Sequence, residues 1–317
     1  MKKDRIPGFK GGARSAAFKR RTAKKYLFLL SIVGLQLVSF AVFYVAVNIN
    51  SILMAFQYFD TKGTMSWSLQ HFATFFKKLQ QEPNILLSLR NTVLFFLFGL
   101  FMLPVAFTTS YFMYKKIWGY KLFRVVFFFP SVISPVVWSQ IYTNIVGVNG
   151  PVAAIMQRVS GTAYPPVLLG DTRYAIVFVV LYSFWMGFAG NFVLFSGSLV
   201  RIPDSVIEAG KIDGLKWLGE LTRVIIPLVW PMLSTMITLS LVRLFTSSGN
   251  ILLLTNGEWG TNTISFMIFQ NVYNNGAPEQ SGTFGYASAV GLIFTVLTLP
   301  LLFIATKLMN RVEDVQY

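Results

Sequence analysis

Catalytic chemistry has few places to sit in this chain. It has no cysteine and a single histidine, His71. Thiol nucleophiles, disulfides and cysteine-ligated metals are excluded, and one histidine gives no support to a metal site or a catalytic triad. The notable polar residues are those standing in apolar company. Arg243 interrupts an apolar run, where a charge is expensive and usually faces a cavity or a partner. It suits hydrogen bonding to a polar or anionic solute. It also suits snorkelling to a membrane surface, because it lies 12 to 16 residues beyond Pro231 and Pro227. Trp138, Gln140, Tyr142, Asn144, Tyr182, Trp185 and Asn191 also sit within apolar runs. Aromatic faces and amides can line a solute path, or they can form interfacial belts and interhelical hydrogen bonds. Asn191 lies deeper than most of these and ranks next to Arg243 as a path residue. Glu208, Asp213 and Gly214 fall in a polar stretch between apolar runs.

The elements that must position these residues are apolar helices. Of 317 residues, 54% are hydrophobic and only 12% charged, about half the charge of an average soluble domain. The mean hydropathy is +0.59. Hydrocarbon as the solvent removes the need for a charged surface. Six segments are long and apolar enough to cross a bilayer: 26–48, 91–113, 125–145, 174–199, 226–248 and 284–306. All lack Asp and Glu, and backbone groups in lipid must bond within the segment, so they are predicted to be helices. The charge-free stretch 26–59 is too long for a cleaved signal and is read as a retained span. Gly187, Gly190, Ser196, Gly197 and Ser198 permit close helix packing, and Pro104, Pro130, Pro135 and Pro300 are places where spans can bend.

Charge sets the orientation. The net charge is +15, and ten of the 27 Lys and Arg lie in the first 25 residues. With the N-terminus inside, cytoplasmic segments hold twenty basic residues and outer segments six. Both termini are thus expected in the cytoplasm, and the basic tail is expected to touch anionic lipid. The chain divides into a basic tail (1–25), a first span with an outer segment (26–90), a core of five spans (91–310) with a cytoplasmic loop at about 201–226, and a short tail (311–317).

That loop and the start of the next span read RIPDSVIEAGKIDGLKWLGELTRVIIPLVWP over 201–231. Pro203 suits the first position of a helix, and Asp204 and Glu208 lie near its positive end. Gly214 after Asp213 fits a left-handed stop. Leu215, Leu218, Leu221 and Ile225 then recur at helical spacing, before Pro227 and Pro231. The pattern predicts two short helices around a Gly turn. By itself it fits an interfacial amphipathic helix.

The run Glu208-Ala209-Gly210, then Asp213-Gly214, then Ile226-Pro227 resembles the EAA loop of binding-protein-dependent importer permeases. The family pattern is roughly E-A-A, three residues, G, about nine residues, I-x-L-P. Gly210 stands for the second Ala, Val224 for the Ile and Ile226 for the Leu. The stretches Asn91-Thr92, FRVVFFFPSVISPVVW (123–138), GFAGNFVLFSGSLVRIP (187–203), NILLLTNGEWGTNTISF (250–266) and GYASAVGLIF (285–294) are similar to the MalF-like branch that serves carbohydrate uptake.

The resemblance implies an all-α, six-span permease fold of the type I ABC importer class in a bacterial cell membrane. It implies a non-enzymatic subunit of an importer for a sugar, an oligosaccharide or a related solute. The implied partners are a second related permease, two copies of a cytoplasmic ATPase and an external solute-binding protein, with lipid around them. It places Glu208, Ala209, Gly210, Asp213, Gly214, Leu215, Trp217 and Leu218 against the ATPase, the acids as polar contacts and Leu215, Trp217 and Leu218 as apolar anchors. Arg243, Asn191, Gln140, Tyr142 and Trp185 become candidates for the sugar path. The chain has no G-x-x-x-x-G-K-[ST] phosphate loop, so ATP and Mg2+ are expected on the partner and no cofactor in this chain. The competing reading is a self-sufficient secondary transporter or channel, which often buries coupling carboxylates. No Asp or Glu lies in the predicted spans.

Overall fold

The computed structural model describes residues 11–60, 63–248, 250–273 and 281–311. The start of the basic tail (1–10) and nearly all of the last tail (312–317) lie outside them. The chain begins with α1 (Gly11–Phe40), which runs through a π-helical stretch (Ala41–Ala46) into α2 (Val47–Phe56). Its apolar side chains Leu30, Leu35 and Phe43 are exposed, a surface that suits contact with lipid.

A small antiparallel hairpin follows, β1 (Gln57–Phe59) with β2 (Met65–Trp67), pairing Gln57 with Trp67 and Phe59 with Met65. It is the one sheet among the described residues of an otherwise helical chain. Amphipathic α3 (Gln70–Gln81) buries His71 and Phe75. His71 is a packed residue, with a ring nitrogen 3.0 Å from the Gln57 carbonyl. Phase and length then change to the long α4 (Pro83–Tyr114), opened by Pro83 at its first turn.

The next span departs from the straight helix expected over 125–145. Helices α5 (Tyr120–Val132) and α6 (Pro135–Val146) meet at a sharp break; the α6 limb, carried on through α7 (Pro151–Ser160), turns 109° from α5. The cause is local. Pro135 has no N–H and forces the preceding residue out of helical geometry; Ile133 and Ser134 are extended, with ψ of 143° and 135°. The long α8 (Ala175–Leu199) follows.

After α8 come α9 (Asp204–Ile212), α10 (Trp217–Glu220), a π-helical turn (Leu221–Ile225) and α11 (Ile226–Val242). The predicted second short helix is therefore not free-standing: α10 runs straight into the fifth span, and residues 217–242 form one candidate span. Pro227 has no amide proton and its ring crowds the carbonyl four residues back. The wider π turn just before it, with Ile226 N–H donating to the Leu221 carbonyl, accommodates this. The helix ends at Val242 rather than continuing to 248. Then come α12 (Ile251–Leu254), α13 (Ile264–Tyr273) and α14 (Ser281–Met309). Among the described residues five helices are long and apolar enough to cross a membrane, or six if the bent pair counts as one span.

The main core lies between α4 and α8 and extends under the 200–230 segment. Leu103, Ala106, Phe107 and Tyr111 of α4 pack with Phe195 and Leu199 of α8, with Ile207 of α9, and with Leu221, Ile225 and Val229. At the other end of α4, buried Asn91 donates from Nδ2 to the carbonyls of Gly260 (2.7 Å) and Asn262 (2.8 Å). Thr92 Oγ1 accepts from the Ile264 amide at 3.0 Å. These bonds tie the 255–264 loop to α4 and satisfy backbone groups that burial would otherwise leave unpaired.

Candidate functional site

Helix α9 carries an acid in its first turn, Asp204, and a base in its last, Lys211, which matches the helix dipole at both ends. Pro203 sits one residue earlier than predicted, as the N-cap with ψ 137°. The helix closes in a Schellman arrangement. Leu215 N–H donates to the Gly210 carbonyl and Gly214 N–H to the Lys211 carbonyl, both at 3.0 Å. Gly214 holds the left-handed conformation, φ +73°, which costs a glycine nothing and other residues about 1–2 kcal/mol.

This turn sorts the side chains. Ile207 and Gly210 are buried against the core, while Glu208, Ala209, Ile212 and Asp213 face outward. Ile212 is 86% exposed, and Trp217 and Leu218 just over half. The outward face thus combines two carboxylates with three large apolar side chains around one left-handed glycine. Leu215 folds inward: a Cβ on Gly210 would lie 3.5 Å from its Cδ1. The Trp217 ring stacks obliquely on Phe112 of α4, centroids 5.8 Å apart.

Sequence reasoning missed a second layer beneath this face. Glu220 is 3% exposed. Lys115 Nζ donates to both of its carboxylate oxygens at 2.8 Å. The Tyr111 hydroxyl lies 3.2 Å from Glu220 Oε1 and 3.3 Å from the Trp217 carbonyl. The available signal was a lone acid, Glu220, set between Leu218-Gly219 and Leu221, together with a lysine at the end of the second apolar run.

The path candidates are spread over three elements. Arg243 is the C-cap of α11 and exposed, so it stands past the helix rather than inside it. Asn191 donates from Nδ2 to the Gly187 carbonyl at 2.9 Å, one turn back on α8. Tyr142 donates to the Phe178 carbonyl at 2.8 Å, and Tyr182 to the Pro135 carbonyl at 3.0 Å, which joins α6 to α8. Trp185 meets Trp138 edge to face with centroids 4.7 Å apart. Trp138 is buried and its Nε1 has no hydrogen-bond partner. Gln140 is exposed. Among the described residues Arg243 forms no hydrogen bond or ion pair with this α6–α8 group. No cluster of His, Asp or Glu suited to a metal occurs among the described residues.

Known proteins share this fold. Two crystal structures superpose on nearly the whole chain. One is a bacterial ABC transporter involved in the import of the acidic polysaccharide alginate: TM-score 0.73, 18% identity, 92% of this chain and 98% of that one. The other is the bacterial alginate transporter in complex with an alginate pentasaccharide-bound periplasmic protein: TM-score 0.76, 16% identity, 94% and 99%. At that identity they speak for the fold. Among curated sequences, the multiple sugar-binding transport system permease protein MsmF of Streptococcus mutans is 28% identical over 198 residues, 62% of this chain and 66% of its own length. The sn-glycerol-3-phosphate transport system permease protein UgpA of Brucella abortus is 26% identical over 227 residues, 71% and 76%. Residues 96–314, which include every helix from the middle of α4 onward and the whole outward face of α9, match the family described as binding-protein-dependent transport system inner membrane component. The chain belongs to that family.

Proposed function

We propose that this chain is a permease subunit of an ATP-driven importer of sugars or oligosaccharides, and that the segment from Glu208 to Leu218 is its ATPase dock. In this reading a second, related permease completes the translocation path. Two copies of a cytoplasmic ATPase hold ATP and Mg2+, and an external binding protein delivers the solute. Both termini and the α9 face lie in the bacterial cytoplasm. The chain itself hydrolyses nothing, consistent with the missing phosphate loop. The carbohydrate class rests on the relatives named for sugar and for glycerol phosphate transport.

The observation that carries the reading is the outward face of α9. Large apolar residues alternate with acids at a rigid turn, and a soluble protein surface would normally cover Ile212, Trp217 and Leu218. Glu208 and Asp213 would supply charge-assisted hydrogen bonds to the ATPase, and Ile212, Trp217 and Leu218 would fill its cleft. Closure of the ATPases would then move α9 as a short rigid arm and rock the spans between inward and outward states. Of the path candidates, the half-exposed Trp185 offers a ring face of the kind sugars stack on, whereas Tyr142 and Asn191 already donate to backbone carbonyls.

Affinity purification of this chain from its native membrane tests the reading. A stoichiometric ATPase and a second permease are expected in the eluate. A lone oligomer that takes up solute without ATP overturns it.

A further inference from the structure

We propose that Lys115 and Glu220, with Tyr111, form the joint through which movement of the α9 face reaches the second span. This rests on the docking role proposed above and adds where the force goes next. Glu220 is the one buried carboxylate among the described residues. Its charge is met by an ammonium bound to both oxygens at 2.8 Å. Lys115 and Tyr111 stand one turn apart at the end of α4, and Tyr111 is completely buried. Together they grip the first turn of the 217–242 span by one side chain and one backbone carbonyl.

The grip sits directly before a change in helix geometry. Immediately after Glu220 the helix becomes π-helical from Leu221 to Ile225. Such turns often mark functional sites and break the regular hydrogen-bond ladder. The turn breaks the regular hydrogen-bond ladder between α10 and α11, while the ion pair ties α10 to α4. Apolar packing alone would let the two elements slide, because the hydrophobic effect has no direction. A two-oxygen charge-assisted contact holds one register. Buried ion pairs seldom add stability over an apolar replacement, and their best-attested use is this kind of register control. Lys115 and Glu220 are thus positioning residues: they touch neither solute nor nucleotide.

This chain has no cysteine of its own, so a pair of labels can be introduced into it and read in the complete purified transporter once any cysteines of the partner subunits have been replaced. Spin labels are placed at Thr222→Cys, exposed, two residues past Glu220 and outside the 208–218 dock, and at Phe101→Cys, on the exposed side of α4. Their separation is measured without nucleotide and after trapping with ATP and vanadate. With the joint intact, one narrow distance is expected, the same in both states. Lys115→Met should broaden it and make it differ between states. Lys115→Arg, and the exchanged pair Lys115→Glu with Glu220→Lys, should restore the single distance. A Lys115→Met complex that keeps one unchanged distance overturns the proposal, as does an exchanged pair no better than the single variants. If the tagged chain brings down no ATPase at all, the docking role itself has failed, and the two outcomes are distinct.

Discussion

The α9 turn offers two glycines four residues apart whose replacement by alanine should have opposite effects. Gly210 lies inside α9 with ordinary helical geometry, and an added Cβ would meet Leu215 Cδ1 at 3.5 Å and Val224 Cγ2 at 3.9 Å. Both are normal van der Waals contacts. Gly210→Ala should therefore stabilise the helix by about 1 kcal/mol, the propensity difference. Gly214 has open space around its missing Cβ, yet φ is +73°. Gly214→Ala meets no clash, but alanine in the left-handed region costs about 1–2 kcal/mol. Part of that is returned through the unfolded chain, about 0.4–1 kcal/mol, leaving a net loss. The two variants should differ by roughly 2 kcal/mol, or about 30-fold in the local opening equilibrium. Hydrogen exchange on the peptide covering 204–216 in the purified complex reads this directly, because the Leu215 and Gly214 amides close the turn. Protection should rise in Gly210→Ala and fall in Gly214→Ala. If both variants move the same way, the left-handed assignment at Gly214 is wrong.

Three further outcomes are expected. Glu208→Lys reverses a charge on the exposed face proposed as the dock and should leave membrane insertion and expression intact while separating ATP hydrolysis from uptake in reconstituted vesicles; normal coupling in that variant counts against the proposed dock. Asn91→Leu removes both Nδ2 hydrogen bonds, leaving the Gly260 and Asn262 carbonyls without that donor, and with them the longer 3.4 Å bond from Arg90 to its Oδ1; at about 1 kcal/mol per bond plus the desolvated carbonyls, the loss should be about 2–4 kcal/mol, seen as a lower Tm of the purified complex. Gly285→Ala places a methyl against the His71 ring and 3.0 Å from the Met54 carbonyl oxygen; overpacking of this kind costs about 1–3 kcal/mol, and a thermal-denaturation double-mutant cycle with His71→Ala should recover part of it.

The apolar runs coincide with the five candidate spans and the bent pair among the described residues, because burial in lipid is a composition signal that needs no partner. Their ends were less legible, for reasons visible at single residues. Pro135 marks the break in the third span, but its angle depends on where α6 is pulled, and the Tyr142–Phe178 and Tyr182–Pro135 bonds that hold it to α8 join residues 36 and 47 apart. Gly214 was readable because a Schellman turn is written in adjacent residues. The fusion of α10 with α11 was not, since it rests on a π turn whose cause, Pro227, looks like a helix start in the sequence. That misreading also displaced Arg243: once the helix begins at Trp217 it has 26 residues, roughly 39 Å, behind it at Val242, and Arg243 falls at its end. The Lys115–Glu220 contact spans 105 positions. Nothing in local periodicity links the two residues, and each alone looks like an ordinary charge in a cytoplasmic loop. The face proposed as the dock is thus encoded locally, whereas its attachment to the second span is encoded only in the fold. Substitutions on α9 should accordingly change which partner is engaged, and substitutions at Lys115 should change what that engagement moves.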